Sequence, residues 1–109
     1  MRMLELRNIY QTVTTAATRV RLTTSSIKTP FLIITAEKTN TGHLYVGDAS
    51  VSSTNAFVEL GSLGTSGSII LDAERIGMKG YFDLSQIYLD VSVNTDGGYF
   101  GYFAVDETD

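Results

Sequence analysis

His43 is the single histidine in 109 residues, so any mechanism that needs an imidazole base has to be built on it. It follows the Asn40-Thr41-Gly42 turn signal with no placed nucleophile nearby in sequence, which favours a surface or hydrogen-bonding role. Serine and threonine are abundant, but no Gly-x-Ser-x-Gly elbow occurs, and Ser-His-Asp hydrolysis has no support. Asp72 and Glu74 share a strand face by period 2, the arrangement that raises the question of a glycosidase carboxylate pair. Asp90 has no charged neighbour on its own strand, and solvated faces or loop caps account for all three acids. Asn94 and Asp96 beside Gly97 and Gly98 offer oxygen ligands to calcium, yet the remaining positions and terminal glutamate of an EF-hand loop are missing, so a hairpin turn is the better reading. Gly61, Gly64 and Gly67 recur every third residue without matching Gly-x-Gly-x-x-Gly, and no lysine follows. Cysteine is absent, which removes disulfides, thiolate nucleophiles and Cys-type zinc or iron–sulfur sites. The expectation is a protein that is not an enzyme, with no catalytic, metal or cofactor site.

Aromatic residues are more informative. In a strand, Tyr99 and Phe103 point opposite to Phe100 and Tyr102, so this segment is aromatic on both faces. One face fills the core; the other is free to pack under a neighbouring subunit or to stack on a sugar ring.

The elements that must position these residues read as short strands. Ten glycines and one proline fall mostly at the joints between short apolar runs, which predicts an all-β chain. Over Gln86 to Asn94, Ile87, Leu89, Val91 and Val93 share one face, while Tyr88, Asp90, Ser92 and Asn94 share a wet or paired one. Thr18 to Thr23 and His43 to Asp48 alternate in the same way and read as half-buried antiparallel strands. Phe31 to Ala36 and Ile69 to Leu71 are continuously apolar or β-branched and predict strands covered on both faces. Hairpin signals at Asn40 to Gly42 and at Asn94 to Gly98 predict that the last two strands are antiparallel neighbours. Glycine-bearing stretches at Gly61 to Gly67 and Gly77 to Gly80 read as loops on either side of Ile69 to Asp72. Val13, Ala16, Ala17 and Val20 sit at helical spacing, but Thr12, Thr14, Thr15 and Thr18 are β-branched and favour extended structure.

The length fits one domain with a thin core, to which oligomer contacts would add stability. The expected division is an N-terminal arm or extra strand over 1–17, a sandwich over 18–105 and an acidic tail over 106–109. A net charge of −4 disfavours nucleic acid as a partner. That charge is uneven: residues 1–21 carry Arg2, Arg7, Arg19 and Arg21 against Glu5 for a net +3, and the remainder carries −7. The asymmetry is either chance or a basic arm that docks on an acidic neighbour, another copy included. The interface residues expected on this ground are Arg2, Arg7, Arg19 and Arg21 as charge contacts, with Tyr10 as apolar anchor. The longest apolar run, Phe31 to Ile34, falls far short of the roughly 18 residues of a membrane span, and Met1 to Tyr10 has no signal-peptide stretch, so no membrane partner is expected and a cytoplasmic site of synthesis is.

The stretch Ile34-Thr-Ala-Glu-Lys-Thr-Asn-Thr-Gly-His-Leu-Tyr-Val-Gly-Asp-Ala-Ser-Val-Ser-Ser-Thr-Asn55, with Asp83-Leu-Ser-Gln-Ile-Tyr-Leu-Asp-Val-Ser-Val-Asn94, resembles small β-sandwich virion proteins of tailed bacteriophages. Those proteins carry an Asn-Thr-Gly turn, a Tyr-Val-Gly-Asp strand end, a Val-Ser-x-x-Asn-Gly loop, a Pro-Gly-Glu-Ser turn and a Leu-Ser-x-Ile-Tyr-Val strand before a final Gly-containing hairpin. The likeness covers roughly residues 18–105; Ala56 stands where the pattern has glycine, and Gly61 to Gly67 replaces the Pro-Gly-Glu-Ser turn. The resemblance implies an antiparallel β-sandwich, jelly-roll-like, of about eight strands. It also implies a structural protein of the virion, assembled in the host cytoplasm: a capsid decoration or cement protein that binds the major capsid protein, with a homotrimer favoured. A head fibre, a neck or tail accessory protein, and a carbohydrate-binding module are the alternatives.

Overall fold

Among the described residues, short apolar runs punctuated by glycine, serine and threonine fold into ten strands, all of whose pairings are antiparallel. The computed structural model describes residues 3–38, 40–61, 67–72 and 81–106. The strands are β1 (Met3–Thr12), β2 (Val20–Arg21), β3 (Lys28–Thr29), β4 (Phe31–Ala36), β5 (Leu44–Gly47), β6 (Val58–Leu60), β7 (Ser68–Asp72), β8 (Phe82–Asp83), β9 (Tyr88–Val91) and β10 (Gly97–Asp106), with a 3-10 turn at Leu84–Gln86. Two four-stranded sheets, A in the order β1-β10-β4-β7 and B in the order β2-β9-β5-β6, form the sandwich. The two strands beyond the expected eight form a separate ribbon, β3 with β8. The steps β1 to β2, β4 to β5, β6 to β7 and β9 to β10 each leave one sheet and enter the other. All four crossings lie at one end, with β1 and β2 on one side of the sandwich and β7 and β6 on the other.

Alternation decides which side chains fill the space between the sheets. In β4, Leu32, Ile34 and Ala36 are buried, while Phe31, Ile33 and Thr35 are half-buried on the outside. Phe100 and Tyr102 of β10 join them and meet Leu44, Val46, Leu89 and Val91 of sheet B in one cluster that Val13, Leu22 and Leu84 help to close. Phe100 is fully buried, and truncating such a side chain costs about 3–5 kcal/mol. Beyond the start of β4, β1 and β10 run on as a two-stranded ribbon, in keeping with extents of 45 × 25 × 25 Å.

Several expectations are corrected. The segment Asn94 to Gly98 does not join neighbours, because β9 lies in sheet B and β10 in sheet A, and Asn40 to Gly42 likewise crosses between sheets. Their polar groups serve long-range partners: Val13 N–H donates to Asp96 O at 2.9 Å, and Thr95 N–H donates to Val13 O at 2.8 Å. The strand expected over Gln86 to Asn94 is regular only at Tyr88–Val91. Asp90, on the face expected to be wet or paired, is paired and buried: Ala17 N–H donates to its Oδ1 at 2.9 Å as the β1–β2 connection passes over it. That connection is neither helix nor strand; it turns at Ala17, whose φ is 66°. β7 is a sheet edge with Ile70 exposed, not a strand covered on both faces. Residues 3–12 form a strand paired with β10 along its whole length. Gly64, Glu74, the stretch Gly77 to Gly80 and the tail from Glu107 lie outside the described residues.

Candidate docking face

Strand register assembles one surface from four distant stretches of chain. On the outer face of sheet A, Leu6 stands beside Phe103, and Phe103 packs on Phe31 with ring centroids 5.7 Å apart. The next row runs Asn8, Gly101, Ile33, Ile70, and the next Tyr10, Tyr99, Thr35, Ser68. Leu6, Tyr10, Ile70 and Tyr99 are between 45% and 75% exposed, too much for residues that complete a core. At the centre, a Cβ on Gly101 would meet nothing within 4 Å, leaving a notch of bare backbone between Asn8 and Ile33. The first row ends on β7 with a charged residue, Asp72 opposite Phe31, the other two rows hold none, and Glu37 meets Tyr99 at the rim.

Tyr10 and Tyr99 lie together, centroids 5.0 Å apart and planes inclined at 31°. The Tyr99 hydroxyl donates to Glu37 Oε1 at 3.4 Å. Desolvation first, then the Glu37 charge and Tyr10, push the Tyr99 phenol above its ordinary value, so it stays a neutral donor. Four strands about 4.8 Å apart and five residues long span on the order of 300 Å² before side-chain relief, the scale of the functional patches of single domains. Such an area is well below the roughly 800 Å² per partner of a stable pairwise complex. One contact here is weak, and many together add up.

Of the five interface residues expected from sequence, the four within the described residues do not form one patch. Tyr10 belongs to the apolar face, but Arg7 points from the opposite side of β1 and pairs with Glu5. Arg19 lies in the β1–β2 connection, and Arg21 on sheet B donates to the Tyr88 hydroxyl from Nε at 2.9 Å and Nη2 at 2.7 Å. Arg2 lies outside the described residues. Phe100 and Tyr102 fill the core and Tyr99 faces out, as alternation predicts. Ile33 and Ile70 were missed, since an unbroken apolar run carries no signal of which face is open.

The remaining candidates have structural work. His43 stacks on Tyr45, centroids 6.3 Å apart, and its Nδ1 lies 2.9 Å from Glu59 Oε2. The Asp96 carboxylate accepts from Thr41 and Gly42 N–H, and Asn94 Oδ1 accepts from Ala16 N–H. These oxygens hold loops, and no group of three His, Asp or Glu able to hold a metal occurs among the described residues. Where β5 and β7 end, a cleft of about 480 Å³ opens between Ile34, Leu71, Val46, Phe57 and Ile87, with Asp48 and Asp83 in its lining. The hydroxyl and N–H of Ser50 hold the Asp48 carboxyl below the usual carboxylate range. Ser26 and then Ser85 hold Asp83 down to about 2.

Comparison of the chain with protein-family models, with curated proteins and with solved structures gives no match.

Proposed function

We propose that the chain is a structural virion protein of a tailed phage, a capsid decoration or cement protein that docks on the major capsid shell through the outer face of sheet A and associates with its own copies, a homotrimer being favoured. The observation that carries the reading is the cluster of exposed Leu6, Tyr10, Ile70 and Tyr99 on one face, with its central notch at Gly101. The sequence resemblance supplies the virion setting, and the modest area of the face suits a protein present in many copies whose weak contacts accumulate. The test is cosedimentation with particles, or with major capsid protein, from the same source. Gly101→Arg fills the notch with a charge and should lower binding at least about tenfold, the value of ~1.4 kcal/mol, with an unchanged melting temperature. Binding of Gly101→Arg at wild-type level removes the face from the proposal. No cosedimentation of the wild-type chain removes the shell as partner and turns attention to the neck or tail.

The Tyr10–Tyr99 pair favours one second reading, a carbohydrate-binding module that stacks a sugar ring on exposed aromatics. Tyr102 is buried and Tyr88 is engaged by Arg21, so neither is an open platform. A glycan array showing binding that Tyr99→Ala abolishes would establish this reading over the first.

A further inference from the structure

Charge divides by edge. Between Glu5 and Arg21, along β1 and β2, Arg7, Arg19 and Arg21 stand against Glu5. Between Leu44 and Asp72, along β5 to β7, the described residues include Asp48, Glu59 and Asp72 and neither lysine nor arginine. The sheet orders place β1 and β2 at one side and β7 and β6 at the other, so a basic edge and an acidic edge lie on opposite sides of the molecule.

Among the described residues, no strand lies on the second edge of either β1 or β7. β1 offers ten residues whose second edge has no strand beside it among the described residues, and β7 offers five. The only proline in the chain is Pro30, so neither edge carries that common block. Three successive antiparallel pairings separate β1 from β7, and the two therefore run in opposite directions. The same holds for β2 and β6. A second copy placed alongside in the same orientation thus sets its β1 antiparallel to the first copy's β7, the direction an added strand needs.

We propose that copies of this chain associate head to tail, the basic β1/β2 edge of one docking on the acidic β6/β7 edge of the next, with sheet A continuing from β7 into the neighbour's β1. Arg19 and Arg21 then face the side that carries Glu59 and Asp72. The contact is heterologous, so it closes into a ring where the rotation per copy divides the circle and otherwise grows as a filament. The inference rests on the self-association part of the proposed function and is independent of what the outer face of sheet A binds.

The experiment is light scattering on the full chain and two variants, Arg19→Glu/Arg21→Glu and Glu59→Lys/Asp72→Lys, each checked for a wild-type circular-dichroism spectrum. Each variant carries one sign on both edges and should be monomeric, and an equimolar mixture should assemble again. The wild-type oligomer should also weaken from about 50 mM to about 500 mM salt as screening shortens the reach of the charges. A monomeric wild-type chain overturns self-association and this interface together. Variants that remain wild-type oligomers, or that are monomeric and fail to combine when mixed, overturn the head-to-tail interface alone. Should either double variant misfold, the single changes Arg19→Glu and Glu59→Lys, both at exposed sites, carry the same comparison.

Discussion

Asn40 illustrates what one side chain does in a fold whose strands keep crossing between sheets. Its sequence context reads as a turn former, but its side chain is buried and spans to the start of β10. Nδ2 donates to Gly97 O at 2.8 Å, and Oδ1 accepts from Gly97 N–H at 3.0 Å, so one amide satisfies both backbone groups of a residue far along the chain. Asn40→Ala leaves that N–H buried without its partner, at about 1–3 kcal/mol, while Gly97 O keeps the N–H of Glu37 at 3.0 Å. A fall in melting temperature of roughly 5 °C or more is expected for a domain of this size. Asn40→Asp is no rescue, since it sets a carboxylate oxygen against Gly97 O; a midpoint for either variant within a degree of wild type would overturn the assignment. Asp83 acts through charge instead. Its folded pKa, about 2, lies below the 3.8 ordinary for an aspartate, so its contribution is present above pH 4 and lost as pH falls toward 2. Denaturant titrations across that window should show a shallower loss in Asp83→Asn than in wild type, and Ser26→Ala should also flatten the curve. Equal slopes in all three would separate Asp83 from acid sensitivity.

Among the elements, β10 was the most legible, because Tyr99, Phe100, Tyr102 and Phe103 alternate around Gly101 and alternation is what a strand reads out. β4 and β7 were legible as strands but not as half-open ones, since Phe31, Ile33 and Ile70 are as apolar as the buried residues beside them. The crossings were illegible for another reason: the same Asn, Asp and Gly that make a hairpin also make an arch between sheets, and only partners distant in sequence decide which forms. The two glycines of β10 separate these roles. A Cβ at Gly97 would press on Gln11 O and lie 2.8 Å from Thr12 Cα, both backbone atoms that cannot move aside cheaply. Gly97→Ala should therefore cost about 1–3 kcal/mol, as overpacking does. At Gly101 the space is open, and replacing a mid-strand glycine by alanine should gain about 0.5–1 kcal/mol. Urea midpoints measured side by side check both signs, and a loss at Gly101 comparable to that at Gly97 would mean the notch is already filled.

At the scale of the molecule, the docking face combines Leu6 to Tyr10, Phe31 to Thr35, Ser68 to Ile70 and Tyr99 to Phe103, stretches that no local window of sequence brings together. The same long-range closure changes what the N-terminal segment is. Read from charge, residues 1–21 are a basic docking arm, and deleting residues 1–12 should remove docking. In the fold, β1 pairs with β10 from Met3 opposite Asp106 to Thr12 opposite Gly97, so the two ends of the chain are zipped to each other. Ile9 packs on the core, and Val13, the next residue after the strand, is fully buried. Deleting residues 1–12 strips the partner from ten residues of β10, turns that strand into a long apolar edge and uncovers one side of Phe100, which is a route to aggregation. The truncated chain should lose its cooperative urea transition and precipitate at concentrations where the full chain stays clear. A synthetic peptide of residues 1–13 added in trans should restore part of the transition, because the missing strand carries its own register. A truncated chain that unfolds cooperatively at the wild-type midpoint would return β1 to the status of a detachable arm, with docking, not folding, as the purpose of its charges.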